Sequence, residues 1–155
     1  MVRKRESIPN QLRALWTLHV TGKVGDASLI DVCDHSSEYM RRWAVTLMLE
    51  DNDITDDAHR RLVLMAKNDE SPLVRLALAS ALQRLPIEQR WPIAEGLVSH
   101  EEDNEDHNLP LMIWYGIEPA VAADEANALR LASKCKLSKV RQFIAKRVAS
   151  ASGGR

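Results

Sequence analysis

The chain has 155 residues, of which 45% are apolar, and this suits one domain with a continuous buried core. Its 21 basic and 22 acidic side chains give a formal net charge of −1, which excludes a strong overall attraction to nucleic acid or to an anionic membrane. No apolar run approaches the roughly 18 residues of a membrane span, and residues 1–10 lack the apolar core of a signal peptide.

Helical periodicity predicts nine helices along the chain. The predicted ranges are 10–21, 27–34, 38–49, 56–68, 72–85, 90–100, 109–122, 125–134 and 139–150. No pattern of alternating apolar and polar residues typical of strands is present. The sequence therefore predicts an all-α protein.

Capping residues and prolines support these boundaries. The predicted N-cap residues are Thr55, Ser71 and Ser138. Three prolines are expected in first turns, where a helix needs no amide donor, namely Pro72, Pro92 and Pro110. Pro119 lies inside the seventh predicted helix, so a kink or break is expected after Glu118.

An apolar residue followed by arginine recurs at the start of predicted helices. The copies are Leu12-Arg13, Met40-Arg41, Val74-Arg75 and Val140-Arg141, with Leu109-Pro110 as a degenerate copy. Successive copies are 28 to 35 residues apart, which is enough for two short helices and two turns. The sequence thus predicts stacked helix pairs.

The helices that begin at these copies carry one apolar stripe each. Val74, Leu78 and Leu82 follow the spacing of a single helical face, and Val140 and Ile144 repeat it. We therefore expect an α-solenoid of four to five helix pairs that fills residues 1–155 as one domain. Residues 1–9 and 151–155 are expected to be flexible.

Helix pairs with an apolar-arginine start and small interior residues resemble HEAT repeats over nearly the whole chain. The segments 82–86, 90–92 and especially 107–119 are similar to the HEAT region of certain large bacterial proteins. Those proteins join a membrane-bound dehydrogenase domain to HEAT repeats and a C-terminal c-type cytochrome. The resemblance implies that this chain is an internal piece of a larger exported, periplasmic protein.

Motifs for cofactors and metals are incomplete. A c-type haem needs Cys-x-x-Cys-His, whereas this chain has Cys33-Asp34-His35 and a separate Cys135. The segment 51–62 begins like a calcium loop but has Asp56 and Leu62 where glycine and glutamate are required. We therefore expect no cofactor.

Catalytic motifs are also missing. His100-Glu101 matches one unit of the His-Glu pairs of HEAT-like diiron hydroxylases, but that chemistry needs several converging pairs. No Gly-x-Ser-x-Gly segment or phosphate-binding glycine loop is present. The sequence favours a chain that is not an enzyme, although the longer parent is an oxidoreductase if the resemblance holds.

The repeated arginines Arg13, Arg41, Arg75 and Arg141 occupy equivalent positions and are expected to form a ladder along the stack. One interpretation is structural pairing with acids or carbonyls of adjacent turns, and Glu38 and Glu70 are the nearby candidates. The other is an anion-binding stripe. Structural pairing is the favoured interpretation.

Charge and tryptophan positions give two further expectations. Residues 126–155 contain eight Lys or Arg and no acid, whereas residues 101–106 contain five acids, so the chain is polarised. A solvated face is the favoured interpretation of the basic end, and docking of an acidic neighbour or of phosphate is the alternative. Trp16 and Trp43 lie near apolar stripes and are predicted to face the core.

The best candidate partner surface surrounds Pro110. It comprises His107, Asn108, Trp114 and Tyr115, in the segment where the apolar-arginine start is replaced. The alternative is that Trp114 and Tyr115 pack beneath the kink at Pro119.

The predicted function is a non-catalytic scaffold that binds another protein or a neighbouring domain of its own chain. The alternative is a HEAT-like DNA glycosylase of the alkylpurine type, which would grip duplex backbone through many phosphate contacts. A net charge of −1 argues against that alternative, so nucleic acid is not the expected partner.

Overall fold

The computed structural model describes residues 7–50 and 54–152. In that part, the chain forms nine α-helices and no strand. The helices are α1 (Ile8–Val20), α2 (Asp26–Val32), α3 (Glu38–Met48), α4 (Asp56–Asn68), α5 (Pro72–Ala81), α6 (Ile87–Leu97), α7 (Leu109–Ala123), α8 (Glu125–Lys134) and α9 (Ser138–Ser152). The all-α prediction is confirmed for the described part. Flexible ends were expected over residues 1–9 and 151–155. Residues 1–6 and 153–155 lie outside the described part, whereas residues 8–9 and 151–152 belong to α1 and α9.

Two of the three predicted N-caps are confirmed. The Thr55 hydroxyl accepts a hydrogen bond from the Ala58 amide, and the Ser71 hydroxyl accepts one from the Val74 amide. The prediction for Ser138 is wrong, because this residue is already the first of α9. Its amide instead donates to Asn104 Oδ1 at 2.9 Å, which ties the start of α9 to an earlier loop.

The first-turn expectation holds at Pro72 and Pro110 and is wrong at Pro92. Pro72 and Pro110 lie in first turns, but α6 starts at Ile87, which places Pro92 inside that helix. A kink or break was expected after Glu118, and α7 continues without a break through Pro119 to Ala123. Packing against α5, α6 and α9 holds α7 together although one helical hydrogen bond is lost.

Helices that are two apart in sequence pack side by side. The pairs are α1 with α3, α3 with α5, α5 with α7, α7 with α9, α2 with α4, α4 with α6, and α6 with α8. Within the described residues, the odd-numbered helices thus form one layer and the even-numbered helices form the other. Contacts such as α2 with α3 and α6 with α7 join the two layers.

Hydrogen bonds at the helix ends show the relative direction of these neighbours. At the start of α4, His59 Nε2 lies 2.9 Å from the carbonyl oxygen of Gln89, near the start of α6. Just beyond the other end of α6, His100 Nε2 lies 2.9 Å from the Ala66 carbonyl oxygen near the end of α4. The two helices therefore run in the same direction.

Glycine permits the closest helix approaches. A Cβ atom at Gly96 in α6 would lie 2.8 Å from the Lys67 backbone nitrogen in α4. A Cβ atom at Gly116 in α7 would lie 2.6 Å from the Leu82 Cβ. Any larger residue would push these helices apart, so both glycines set the distance between neighbours.

The apolar stripes predicted from sequence lie in the core. Val74, Leu78, Leu82, Val140 and Ile144 are all fully buried. Within the described residues, no helix combines the length and the apolar character needed to cross a membrane.

We predict that Leu78→Ala and Leu82→Ala each lower the free energy of unfolding by about 2–5 kcal/mol, because each empties a packed leucine site. Leu129→Ala is the matched control, since Leu129 lies on α8 with 53% of its surface exposed. The control should change stability by less than about 0.5 kcal/mol. Urea unfolding of the three variants measures this, and equal effects at all three sites would contradict the assigned core.

Candidate binding groove

A surface groove of about 440 Å³ lies across helices α3, α5 and α7 of the odd-numbered layer. It is lined by Arg42, Val45, Thr46, Leu49, Leu73, Leu76, Ala77, Ser80, Ala81, Arg84, Asn108 and Met112. These residues come from the three helices, from the 3₁₀ segment Leu82–Arg84, and from the positions directly after α3 (Leu49) and directly before α7 (Asn108). The groove therefore depends on how three successive odd-numbered helices are aligned.

Two hydrogen bonds fix the alignment of α3 and α5. At the N-terminal ends, the Ser71 hydroxyl donates to Glu38 Oε2 at 2.5 Å. At the C-terminal ends, Arg84 Nη1 donates to the Leu49 carbonyl oxygen at 3.2 Å. Because both bonds join equivalent ends, α3 and α5 run parallel along the groove.

The groove has an apolar floor and a polar rim. Val45, Leu49 and Ala81 are buried at its base, whereas Arg42 and Arg84 are exposed. In the part of the chain that the structure describes, the lining includes two arginines and no carboxylate. The site is therefore suited to a ligand that offers both an apolar group and a negative charge.

Arg42 and Arg84 retain hydrogen-bonding capacity. The Arg42 guanidinium lies 5.8 Å from the centre of the Trp43 ring, and Arg84 donates to one backbone carbonyl. Within the described residues, neither arginine forms an ion pair with a carboxylate. Sequence reasoning missed both arginines because they do not occupy the repeated apolar-arginine position.

The four residues of the predicted partner surface around Pro110 are not equally exposed, since three are exposed and Trp114 is half-buried. His107 and Asn108 are exposed at the start of α7, and Asn108 lines the groove. Tyr115 is 58% exposed and lies three residues after Met112, on the same side of α7 as the groove lining. Trp114 is half-buried, with its ring centre 5.4 Å from that of Phe143 in α9.

Two of the four ladder arginines form clamps, one partly buried at Arg41 and one fully buried at Arg75. Arg41 Nε and Nη2 donate to Asp69 Oδ2 and Oδ1 at 2.8 and 2.9 Å. Arg75 makes the same pair of bonds to Asp103, at 2.7 and 2.5 Å. Arg13 and Arg141 are exposed. At Arg41 and Arg75 the geometry is that of structural pairing, with no free anion-binding edge.

The clamps also bind backbone carbonyls. Arg41 Nη1 donates to the carbonyl oxygen of His35 at 3.0 Å, and Arg75 Nη1 donates to that of Asp69 at 2.9 Å. Each guanidinium therefore holds the loop before its own helix as well as the next aspartate. In both clamps the aspartate lies 28 residues after its arginine. This repeated Arg-Asp spacing is present in the sequence and could have been found there.

The acids suggested from sequence have other roles or positions. Glu38 accepts the hydrogen bond from Ser71, and Glu70 is exposed. Burial raises the pKa of Asp69, but hydrogen bonds from Arg41 and from the Ser71 amide outweigh this effect. The pKa of Asp69 is consequently lowered from its usual value of 3.8.

The two cysteines are free and buried. Burial raises the pKa of the Cys33 thiol to about 11, despite the nearby Arg61, and burial also raises the pKa of Cys135. Because the thiolate is the reactive form, these groups are poor nucleophiles.

Within the described residues, no three His, Cys, Asp or Glu side chains are placed to hold a metal ion. Residues 51–53, which begin the calcium-loop resemblance, lie outside the described part. The His100 ring contacts Glu102 Oε1 and the Ala66 carbonyl oxygen, each at 2.9 Å.

The inward prediction for the tryptophans is wrong at one position. Trp43 packs against the core, but Trp16 is 36% exposed. Their ring centres are 4.9 Å apart at an interplanar angle of 71°, an edge-to-face contact. Trp16 is exposed because α1 packs against α3 on one side, and among the described residues no further helix covers its other side.

Two cations of the basic C-terminal region are paired. Lys134 Nζ lies 2.5 Å from Glu95 Oε1, and Arg147 Nε donates to Glu118 Oε1 at 2.9 Å. Each pair joins helices two apart in sequence. Part of the charge in this region therefore contributes to helix packing.

The chain matches no protein-family model, no curated protein and no solved structure. Functional inference therefore depends on the groove and the clamps themselves.

We predict that Asp103→Asn lowers the free energy of unfolding by about 3–5 kcal/mol. The change removes the buried carboxylate that accepts two hydrogen bonds from Arg75, and among the described residues only the exposed Glu102, at 3.7 Å, remains as an ion-pair partner. Only 2% of the Arg75 side chain and 4% of the Asp103 side chain are exposed. The matched control is Asp57→Asn, whose pair with Arg60 is largely exposed and should contribute no more than about 1 kcal/mol. Urea unfolding distinguishes the two, and a small effect at Asp103 would contradict the clamp.

We predict that Asp69 makes folding pH-dependent in the acid range. Because its pKa is lower in the folded protein, its contribution is present above the usual value of 3.8 and is lost as the pH falls through the folded-state pKa. The stability gap between wild type and Asp69→Asn should therefore be larger at about pH 6 than at about pH 3. Urea unfolding at both pH values measures the gap, and a constant gap would refute this assignment.

Proposed function

We propose that the chain is a non-catalytic HEAT-like scaffold, an α-solenoid of helix pairs that binds a protein partner in the groove across α3, α5 and α7. The observation that supports binding is the groove, which combines a buried apolar floor with exposed polar groups at its rim. Such a combination is typical of surfaces that anchor an apolar side chain and orient it through hydrogen bonds.

The recurrence of the clamp supports a repeat. Arg41 and Arg75 are 34 residues apart, and their partners Asp69 and Asp103 are also 34 residues apart. Parallel packing of helices two apart accompanies this recurrence in both layers. Both features are expected if each repeat is one helix pair that packs against the next.

The sequence resemblance suggests the setting of this scaffold. In the proposed parent, an exported bacterial protein with dehydrogenase and cytochrome domains, the groove would bind a neighbouring domain or a separate protein. The scaffold would hold that partner in place, and electron transfer would be carried out elsewhere in the parent. No observation on this chain favours the DNA glycosylase alternative.

Selection from a phage-displayed library of random peptides of about 12 residues tests the proposed function, since peptides of this length can span the groove. Ser80→Trp places a large side chain at the groove lining. Ser133→Trp is the matched control, because it makes the same change at an exposed helical serine on α8.

We predict that selected peptides bind the wild type and the Ser133→Trp control equally, and that they bind Ser80→Trp at least about tenfold more weakly. The physical reason is that a filled groove leaves no space for an anchoring side chain. Fluorescence anisotropy with labelled peptides measures the affinities, and circular dichroism verifies that both variants fold. The proposal fails if selection yields no peptide, or if every peptide binds both variants equally.

A further inference from the structure

We propose that the groove recognises an acidic segment of a partner protein, with two carboxylates bound by Arg42 and Arg84 and an apolar side chain between them. This inference depends on the proposed function and specifies the chemistry of its partner. It is based on the charges of the lining, which includes two cations and, among the described residues, no anion.

Three other arginines of the odd-numbered helices are already paired with carboxylates. Arg41 and Arg75 are fully engaged by aspartates, and Arg147 is paired with Glu118. Arg42 directly follows a clamp arginine in sequence, yet its side chain is exposed at the groove rim. Arg84 has one carbonyl partner, which leaves most of its five N–H donors available to a ligand.

The two arginines lie at separate points along the groove. Arg84 donates to the carbonyl oxygen of Leu49, which lies seven residues after Arg42 and directly after the end of α3. At about 1.5 Å per residue, the backbone positions of Arg42 and Leu49 are about 10 Å apart along the helix axis, or about two helical turns.

The groove lining between the two arginines is mainly apolar. Leu73, Leu76 and Met112 are half-buried in the lining, and Val45 and Leu49 close the base. At the N-terminal end of the groove, the exposed Asn108 side chain makes no hydrogen bond within the described residues. An amide here can bind the backbone of a ligand, which favours a peptide over a small anion.

Removing the charges of the peptide and reversing those of the protein tests this inference. The probes are the groove-dependent peptides, meaning those that Ser80→Trp no longer binds, together with versions in which each Glu or Asp is replaced by the matching amide. We expect amide replacement to weaken binding by about tenfold or more, since charge-assisted hydrogen bonds are lost. Arg42→Glu and Arg84→Glu should each weaken binding of the acidic peptides to a similar extent.

The matched control is Arg130→Glu, which reverses an exposed arginine on α8 outside the groove and should leave affinity within about twofold. A charge swap completes the test. A peptide in which one acid is changed to lysine should bind one of the variants, Arg42→Glu or Arg84→Glu, more tightly than it binds the wild-type protein. Circular dichroism and urea unfolding establish that the variants remain folded.

Three results would overturn the inference. If groove-dependent peptides keep their affinity after amide replacement, the groove binds a partner through apolar contacts alone, and only the proposed function survives. If no groove-dependent peptide exists, the proposed function and the inference both fail. If sedimentation shows a wild-type dimer that Arg42→Glu dissociates, the groove is occupied by a second copy of this chain.

Discussion

The pairing of buried arginine with aspartate constrains the structure more than any other interaction. A guanidinium cannot be buried without partners for its charge and its donors, and the Arg75 side chain is 98% removed from solvent. Asp103 and the Asp69 carbonyl therefore have to be in place before α5 can pack. Since the aspartate comes from the segment before the next odd-numbered helix, each clamp also sets where that helix begins.

The groove is a consequence of this alignment. Parallel odd-numbered helices, held at their ends by Ser71 and Arg84, leave a channel wherever the residues between them are small. Ala77 and Ser80 provide that space on α5. The clamp arginines are engaged by aspartates, whereas no aspartate among the described residues engages Arg42 or Arg84, the two arginines of the proposed binding mode.

Most of the helical framework could be predicted from sequence, because the period of apolar residues and the caps at Thr55 and Ser71 are local signals. The start of α6 was missed, since Pro92 was placed in a first turn although tertiary packing tolerates it further inside the helix. Asn108 was predicted and does line the groove. Arg42 and Arg84 were not, because a groove forms from three separate helices and no local pattern indicates it.

The two clamps differ in a way that bears on mechanical load. They join successive segments, so a force that pulls the ends of the chain apart would act on both clamps in series. The Arg41 side chain is 18% exposed, whereas that of Arg75 is 2% exposed, and water reaches the first pair more readily. Under tension, α1 to α3 would therefore detach first, while the segment from α5 onward stayed folded.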